Sequence, residues 1–360
     1  MPARENRWIA LGAAAALAAA GLGVWLSAGE VDAPAPPPIG PGGTPPPPPP
    51  GGGLPALSLS ADFPPAAAKP LRDAWAIAAT AGPASVAAAL DALAPPAGGG
   101  PLAGAEARAI EAFAPILEHL AVHGEQPVPA AALRCAAGLA RSGGADARAA
   151  LQRSGLVSRA FAVQAHTGPE EHRREAARLL GVCGGPQAAA WLASVVEKAP
   201  EDSVRESAIH ALVAVHRGGT RLGAEPVAAV RAALRDSAGR PALRRACLGA
   251  IRGAKPDFLA WFQDGTFVEE IVACLGDPDP SVRYETALFL DACPLEASGP
   301  ALVRAVREDR EERVVGKAAD ALAQVRPPGA AEALAARLPS LRDPEAIRSV
   351  EAAIRSLGRR

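Results

Sequence analysis

The chain is 360 residues long, carries 37 Lys and Arg against 38 Asp and Glu for a formal net charge of −1, and is only 4% aromatic. That length allows two ordinary domains, but the interspersed, near-neutral charge lacks the basic footprint of a nucleic-acid binder. Alternating Val/Ile runs are absent, and the five cysteines contain no Cys-x-x-Cys pair of the kind a structural zinc site needs.

Residues 1–7 hold Arg4 and Arg7, and Trp8 to Leu26 follows as an apolar run without a charge. A run of that length can cross a hydrocarbon core of roughly 30 Å, whereas a signal-peptide core spans about 7 to 15 residues. Trp8 and Trp25 bracket it, as interfacial indoles would. The segment 8–26 is therefore expected to be an uncleaved transmembrane signal-anchor helix. With the arginines before it, the N-terminus is cytoplasmic and the rest extracytoplasmic. The alternative is a signal cleaved near Ser27-Ala28, which leaves the chain secreted or periplasmic.

Residues 27–64 read as a stalk. Between Pro34 and Gly53, 11 of 20 residues are Pro and 6 are Gly, a composition that cannot form a core and favours extended polyproline II. Residues 65–360 then change character, and helical periodicity takes over.

Within 65–360 one stripe recurs, with apolar or small residues at an anchor and at the fourth, seventh and eighth residues after it, which is one face of a helix. It begins weakly at Ser85 with Ala89, Ala92 and Leu93, and at Ala131 with Cys135 and Leu139. It then strengthens at His172, Val204, Leu243, Val282, Val314 and Ala346. The steps from Val204 to Leu243 and from Leu243 to Val282 are equal to each other, and the remaining three are equal and shorter. Further amphipathic runs lie between the anchored ones, as at 187–198, 226–236, 268–275 and 301–308, separated by turns rich in Pro, Asp and Gly. Such a period predicts an all-α solenoid of about seven to eight helix pairs, each burying its apolar face only by stacking on its neighbours.

Asp279-Pro280-Ser281-Val282-Arg283 followed by an Ala/Leu stripe, echoed at Asp202-Ser203-Val204-Arg205, resembles the second helix of HEAT repeats, especially the short bacterial phycobilin-lyase HEAT-like form. The resemblance covers roughly residues 66–360 and implies a HEAT/armadillo-like superhelix whose second helices line a concave, partner-binding surface. It also implies that the repeated Arg, here Arg173, Arg205, Arg244 and Arg283, ties adjacent units through the turn acid. Val315 and Ile347 break that pattern. The excess of Arg over Lys and the abundance of Ala fit a bacterial protein.

Candidate chemistry is sparse. Cys135 and Cys247 occupy the fourth-residue position of the stripe and read as core filler, while Cys274 and Cys293 could bridge neighbouring units in an oxidising compartment. His119 and His123 lie one turn apart without the Glu of a His-Glu-x-x-His motif, and read as surface or groove histidines. Phe258, Trp261, Phe262 and Phe267 cluster in the extra residues of one of the longer units and read as packing of an inserted turn. No catalytic, metal or cofactor site is expected, and no nucleic-acid or small-molecule partner.

Binding is expected on the second helices, at the second, third and sixth residues after each anchor. On those positions Arg174, Arg178, Glu206, His210, Arg245, Tyr284 and Glu285 are the candidate partner-binding residues, since Arg and aromatic side chains are favoured interface anchors. The expected function is a membrane-tethered, non-enzymatic scaffold for a protein partner. The alternative is an enzyme or enzyme subunit on the same fold, lyase-like by the resemblance.

Overall fold

The computed structural model describes residues 72, 76, 82–93, 107–124, 126–157, 168–258 and 264–358. The expected anchor at 8–26 and stalk at 27–64 lie outside them. Among the described residues no helix is long and apolar enough to cross a membrane.

The described chain is a succession of helices: α1 (Pro83–Leu93), α2 (Ala107–His123), α3 (Val128–Ser142), α4 (Gly144–Arg153), α5 (Glu170–Cys183), α6 (Pro186–Lys198), α7 (Asp202–Arg217), α8 (Ala224–Asp236), α9 (Pro241–Gly253), α10 (Gly265–Ala273), α11 (Pro280–Ala292), α12 (Gly299–Glu308), α13 (Glu312–Val325), α14 (Ala330–Arg337) and α15 (Pro344–Gly358). The odd-numbered helices are the ones carrying the recurrent stripe. Each packs on the next odd helix, from α1 through to α15, as one unbroken row. Even helices cover the row, with α2 on α3, α6 on α7, α8 on α9, α12 on α13 and α14 on α15. The fold is an all-α solenoid of helix pairs.

The stripe explains the row. Val204, Ala208, Ala211 and Leu212 are buried on α7, Leu243, Cys247, Ala250 and Ile251 on α9, and Val282, Thr286, Phe289 and Leu290 on α11. Thr286 fits among them because its hydroxyl donates to the Val282 carbonyl at 2.7 Å. Small residues set the spacing: a Cβ on Gly181 of α5 would lie 2.8 Å from Ala211 Cα on α7. At α1 the structure shifts the stripe by one residue from the expected Ser85 anchor, burying Val86, Leu90 and Leu93 and leaving Ala92 exposed. The larger Val and Leu bury more apolar area than Ser and Ala, so they take the inner face.

Turns between paired helices do double duty. Asp279 caps α11 by accepting from Ser281 N at 2.8 Å, with Pro280 in the first turn. Asp277 accepts from Asp279 N at 2.9 Å, and Asp309 from Glu311 N at 2.9 Å. The same two buried carboxylates hold an Arg of the preceding odd helix: Arg244 bonds Asp277, and Arg283 bonds Asp309 through Nε at 2.7 Å and Nη2 at 2.9 Å. Arg205 joins Asp236 at 3.1 Å and Arg173 joins Glu201. The expected ladder is therefore present from α5 to α11. Where Val315 interrupts it, Arg337 of α14 donates to the Asp309 carbonyl at 2.8 Å, and the Glu312 carboxylate accepts from Arg342 N at 2.8 Å.

The two longer steps carry their extra residues on the even side. One lengthens the connection 218–223 and the other adds a single helical turn, Lys255–Phe258, before α10. In the second case α8 and α10 are joined less by backbone packing than by Arg231, which pairs with Asp264 at 2.7 Å and Glu270 at 3.2 Å and lies over the Phe267 ring at 5.2 Å. Phe267 is fully buried, as its packing role requires. Trp261, Phe262 and the side chain of Phe258 lie outside the described residues. All five cysteines are buried free thiols, so the Cys274–Cys293 bridge that the sequence left open is not formed. Burial pushes the thiols of Cys135, Cys183 and Cys247 up to about 12.

Candidate partner-binding face

On each odd helix the stripe and the ladder Arg are consumed by the stack, so the side chains left to solvent come from the positions between them. The second and sixth residues after the anchor do point outward: Arg178, His210 and Arg245 are exposed, and Arg174, Glu206 and Tyr284 are half-buried. The third position behaves differently. Glu175, Ser207 and Ala246 are buried, and Glu285 is half-buried in the seam, where it accepts from Arg252 of α9 at 2.7 Å. The third residue after an anchor has turned most of the way round the helix and returns beside the neighbouring odd helix, which narrows the open face to two rows.

The seven candidates fall into two groups. Toward the N-terminal end Arg178 pairs with Glu175 at 2.6 Å, and His210 faces Glu206 at 3.7 Å. Burial raises the Glu175 carboxyl above its usual range, while Arg178 and Arg134 pull the other way. Arg134 of α3 ties this region together by binding Asp91 of α1 at 2.9 Å and Glu171 of α5 at 2.8 Å. Its position, three residues after the Ala131 anchor, was the signal available in the sequence. These contacts leave Arg174 as an outward cation beside a largely neutralised surface.

Toward the C-terminal end the arrangement is more open. Arg245 is exposed and near enough to Asp279 to depress that carboxyl, after the larger effect of the Ser281 hydrogen bonds. Tyr284 lies beneath Arg313, whose guanidinium carbon is 5.1 Å from the ring centroid. Together with Gly316 and Lys317 of α13, and Asp343, Glu345, Ala346 and Ser349 at the start of α15, they line a shallow depression. Lys317 bonds Asp320 at 2.9 Å, which holds its ammonium above the usual range. Burial, with Asp320 nearby, raises Asp291 on the facing side of α11. Arg313 was not among the sequence candidates, because it precedes its own anchor and meets Tyr284 only through the stacking of α11 on α13.

Other expected groups are not brought together. His119 is half-buried on α2, and the side chain of His123 is outside the described residues. Among the described residues no three His, Cys, Asp or Glu side chains converge as metal ligands would.

Residues 268–358 match the family of HEAT repeats. No curated protein matches the chain. Among solved structures, Kap121p is similar at 16% identity over 81% of this chain and 37% of its own, with a TM-score of 0.43. The chain thus spans just over a third of the Kap121p length. An engineered protein is similar at 20% identity over 80% of this chain and 96% of its own, with a TM-score of 0.30. Human deoxyhypusine hydroxylase in complex with glycerol follows at 20% identity, over 72% of this chain and all of its own, with a TM-score of 0.32.

Proposed function

We propose that the chain is a membrane-tethered, extracytoplasmic scaffold, not an enzyme, that holds a protein partner on the outward face of its odd helices. The observation that carries the reading is the division of labour along those helices. Residues that repeat from unit to unit are spent on stacking, while the outward positions change from Arg174 and Arg178 to Glu206 and His210, then Arg245, then Tyr284. A surface that varies over a rigid, regular support is suited to recognising one extended partner. Residues 8–26 would anchor the chain, and the Pro/Gly stalk would hold the solenoid off the bilayer.

Affinity capture from membranes with the whole chain tests this. One specific protein is expected, lost on Arg245→Glu or Tyr284→Ala at unchanged helicity. A partner that survives both substitutions would refute the face. A C-terminal reporter active only outside the cytoplasm tests the topology, and activity inside would refute it.

A further inference from the structure

The depression between α11, α13 and α15 holds one cation, Arg313, that no acid among the described residues claims and that an aromatic ring positions. Among the described residues Arg313 makes no ion pair and no hydrogen bond, and its guanidinium rests on the Tyr284 ring. A guanidinium laid on an aromatic face keeps its planar fork of N–H donors available and loses less freedom when a ligand arrives. Lys317 lies one turn further along α13, its ammonium bonded to Asp320 through one of its three N–H donors. The floor is empty by construction. Gly316 has no side chain, and a Cβ there would approach Ala346 Cα to 3.1 Å, so α13 and α15 meet backbone to backbone beneath the opening.

We infer that this depression is a subsite for a single carboxylate presented by the partner protein, received by the Arg313 fork on the Tyr284 ring and by Lys317. The inference rests on the scaffold reading and deepens it. A carboxylate matches the guanidinium fork bidentately. The opposite rim limits the charge: Asp343 and Glu345 line the same depression. Both lie well inside the ~10 Å Debye length of ordinary salt, so they repel any anion there, and a polyanion more strongly than one carboxylate. Asp343 is itself held by α15, accepting from Glu345 N at 2.9 Å, and stays in place as that rim. The carboxylate could come from an Asp or Glu side chain or from a chain terminus.

The test uses the whole 360-residue chain in mild detergent and three fluorescein-labelled decapeptides read by anisotropy. One alternates Gly and Gln with a single central Glu and is amidated, one is its all-Gly/Gln amidated counterpart, and one is Gly/Gln with a free C-terminal carboxylate. The first is expected to bind if side chains are the source, the third if the terminus is; the second is expected not to bind. Arg313→Gln and Lys317→Gln should each weaken binding about tenfold, the loss of one charge-assisted hydrogen bond. Arg313→Lys should weaken it also, since the fork is lost with the charge kept.

Binding of the amidated Gln peptide as tight as that of the better of the two carboxylate peptides, no effect of Arg313→Gln, or pyrophosphate competing more tightly than the peptide would each overturn the subsite. If Arg313→Gln instead leaves a captured partner bound at full strength while Arg245→Glu releases it, the subsite is wrong and the scaffold stands. If the peptide binds as expected but no partner is captured, the scaffold reading fails alone.

Discussion

Asp309 is where the stack can be tested most directly, because one buried carboxylate serves both the turn and the ladder. Its side chain is 4% exposed and accepts from Arg283 Nε, Arg283 Nη2 and Glu311 N. Asp309→Ala leaves the Arg283 guanidinium without its counter-ion, and removing one partner of a buried pair costs about 3–5 kcal/mol. Arg283 is 17% exposed and still donates to the carbonyls of Asp277 at 2.9 Å and Pro278 at 3.1 Å. The expected cost is therefore about 2–3 kcal/mol. Because each unit of a solenoid depends on its neighbours, the loss should concentrate in α12 to α15. Hydrogen exchange should show protection there falling about 30- to 150-fold, at roughly 1.4 kcal/mol per factor of ten, with α5 to α7 unchanged. The double variant Arg283→Met/Asp309→Ala should cost less than the sum of the singles by about 1.5 kcal/mol or more. A protection loss under about threefold, or strictly additive singles, would refute the ladder as a support of the stack.

The packing dictates three further outcomes. Gly181→Ala should destabilise by about 1–3 kcal/mol through overpacking against Ala211, and Ala211→Gly should not rescue it, because the Ala211 Cα and carbonyl that crowd the new Cβ remain; an innocuous Gly181→Ala in urea unfolding would contradict the close approach. His172, 2% exposed and bonded to Gln126, is held below the usual histidine range by burial. The unfolded chain therefore takes the proton first, at about pH 6.5, and stability should fall as pH drops through that value; His172→Gln should flatten the slope between about pH 7 and 5, and an unchanged slope would refute the assignment. Arg231→Leu should raise hydrogen exchange in α10 without affecting α9 or α11, since Arg231 joins α8 to α10 while the odd row packs independently; equal loosening of α11 would contradict that separation.

What was legible in the sequence is what repeats. A stripe of helical period can be read wherever large apolar residues alternate with charge, as at Val204 or Val282, and it loses its phase where Ala and Ser leave every face alike, as at Ser85 and Val86. The Arg of the ladder was legible because it recurs one residue after the anchors from His172 to Val282, while its pairing with a turn acid was what the family resemblance implied, since the acids lie at varying distances from it. The ladder's continuation through Arg337 and Glu312 was not legible, since one reaches the Asp309 carbonyl and the other the Arg342 N–H, from positions outside the repeated pattern. The extra residues of the longer units showed as length alone, and that they separate α8 from α10 depends on which row receives them.

The same distinction separates support from recognition on the odd helices. Tyr284 and Arg313 belong to different units and sit at different offsets from their anchors, so no periodicity joins them. They meet because Val282 and Val314 are both drawn into the row, which fixes the relative rotation of α11 and α13 and so places the second residue after one anchor against the residue before the next. A contact of that kind is created by the stack but not written in its repeat. It follows that substitutions in the stripe should alter the outward face as a whole, by rotating one helix against the next, whereas Arg313 and Tyr284 can change independently of the fold. Selection for a particular partner can then act on the outward residues alone while the buried register stays the same.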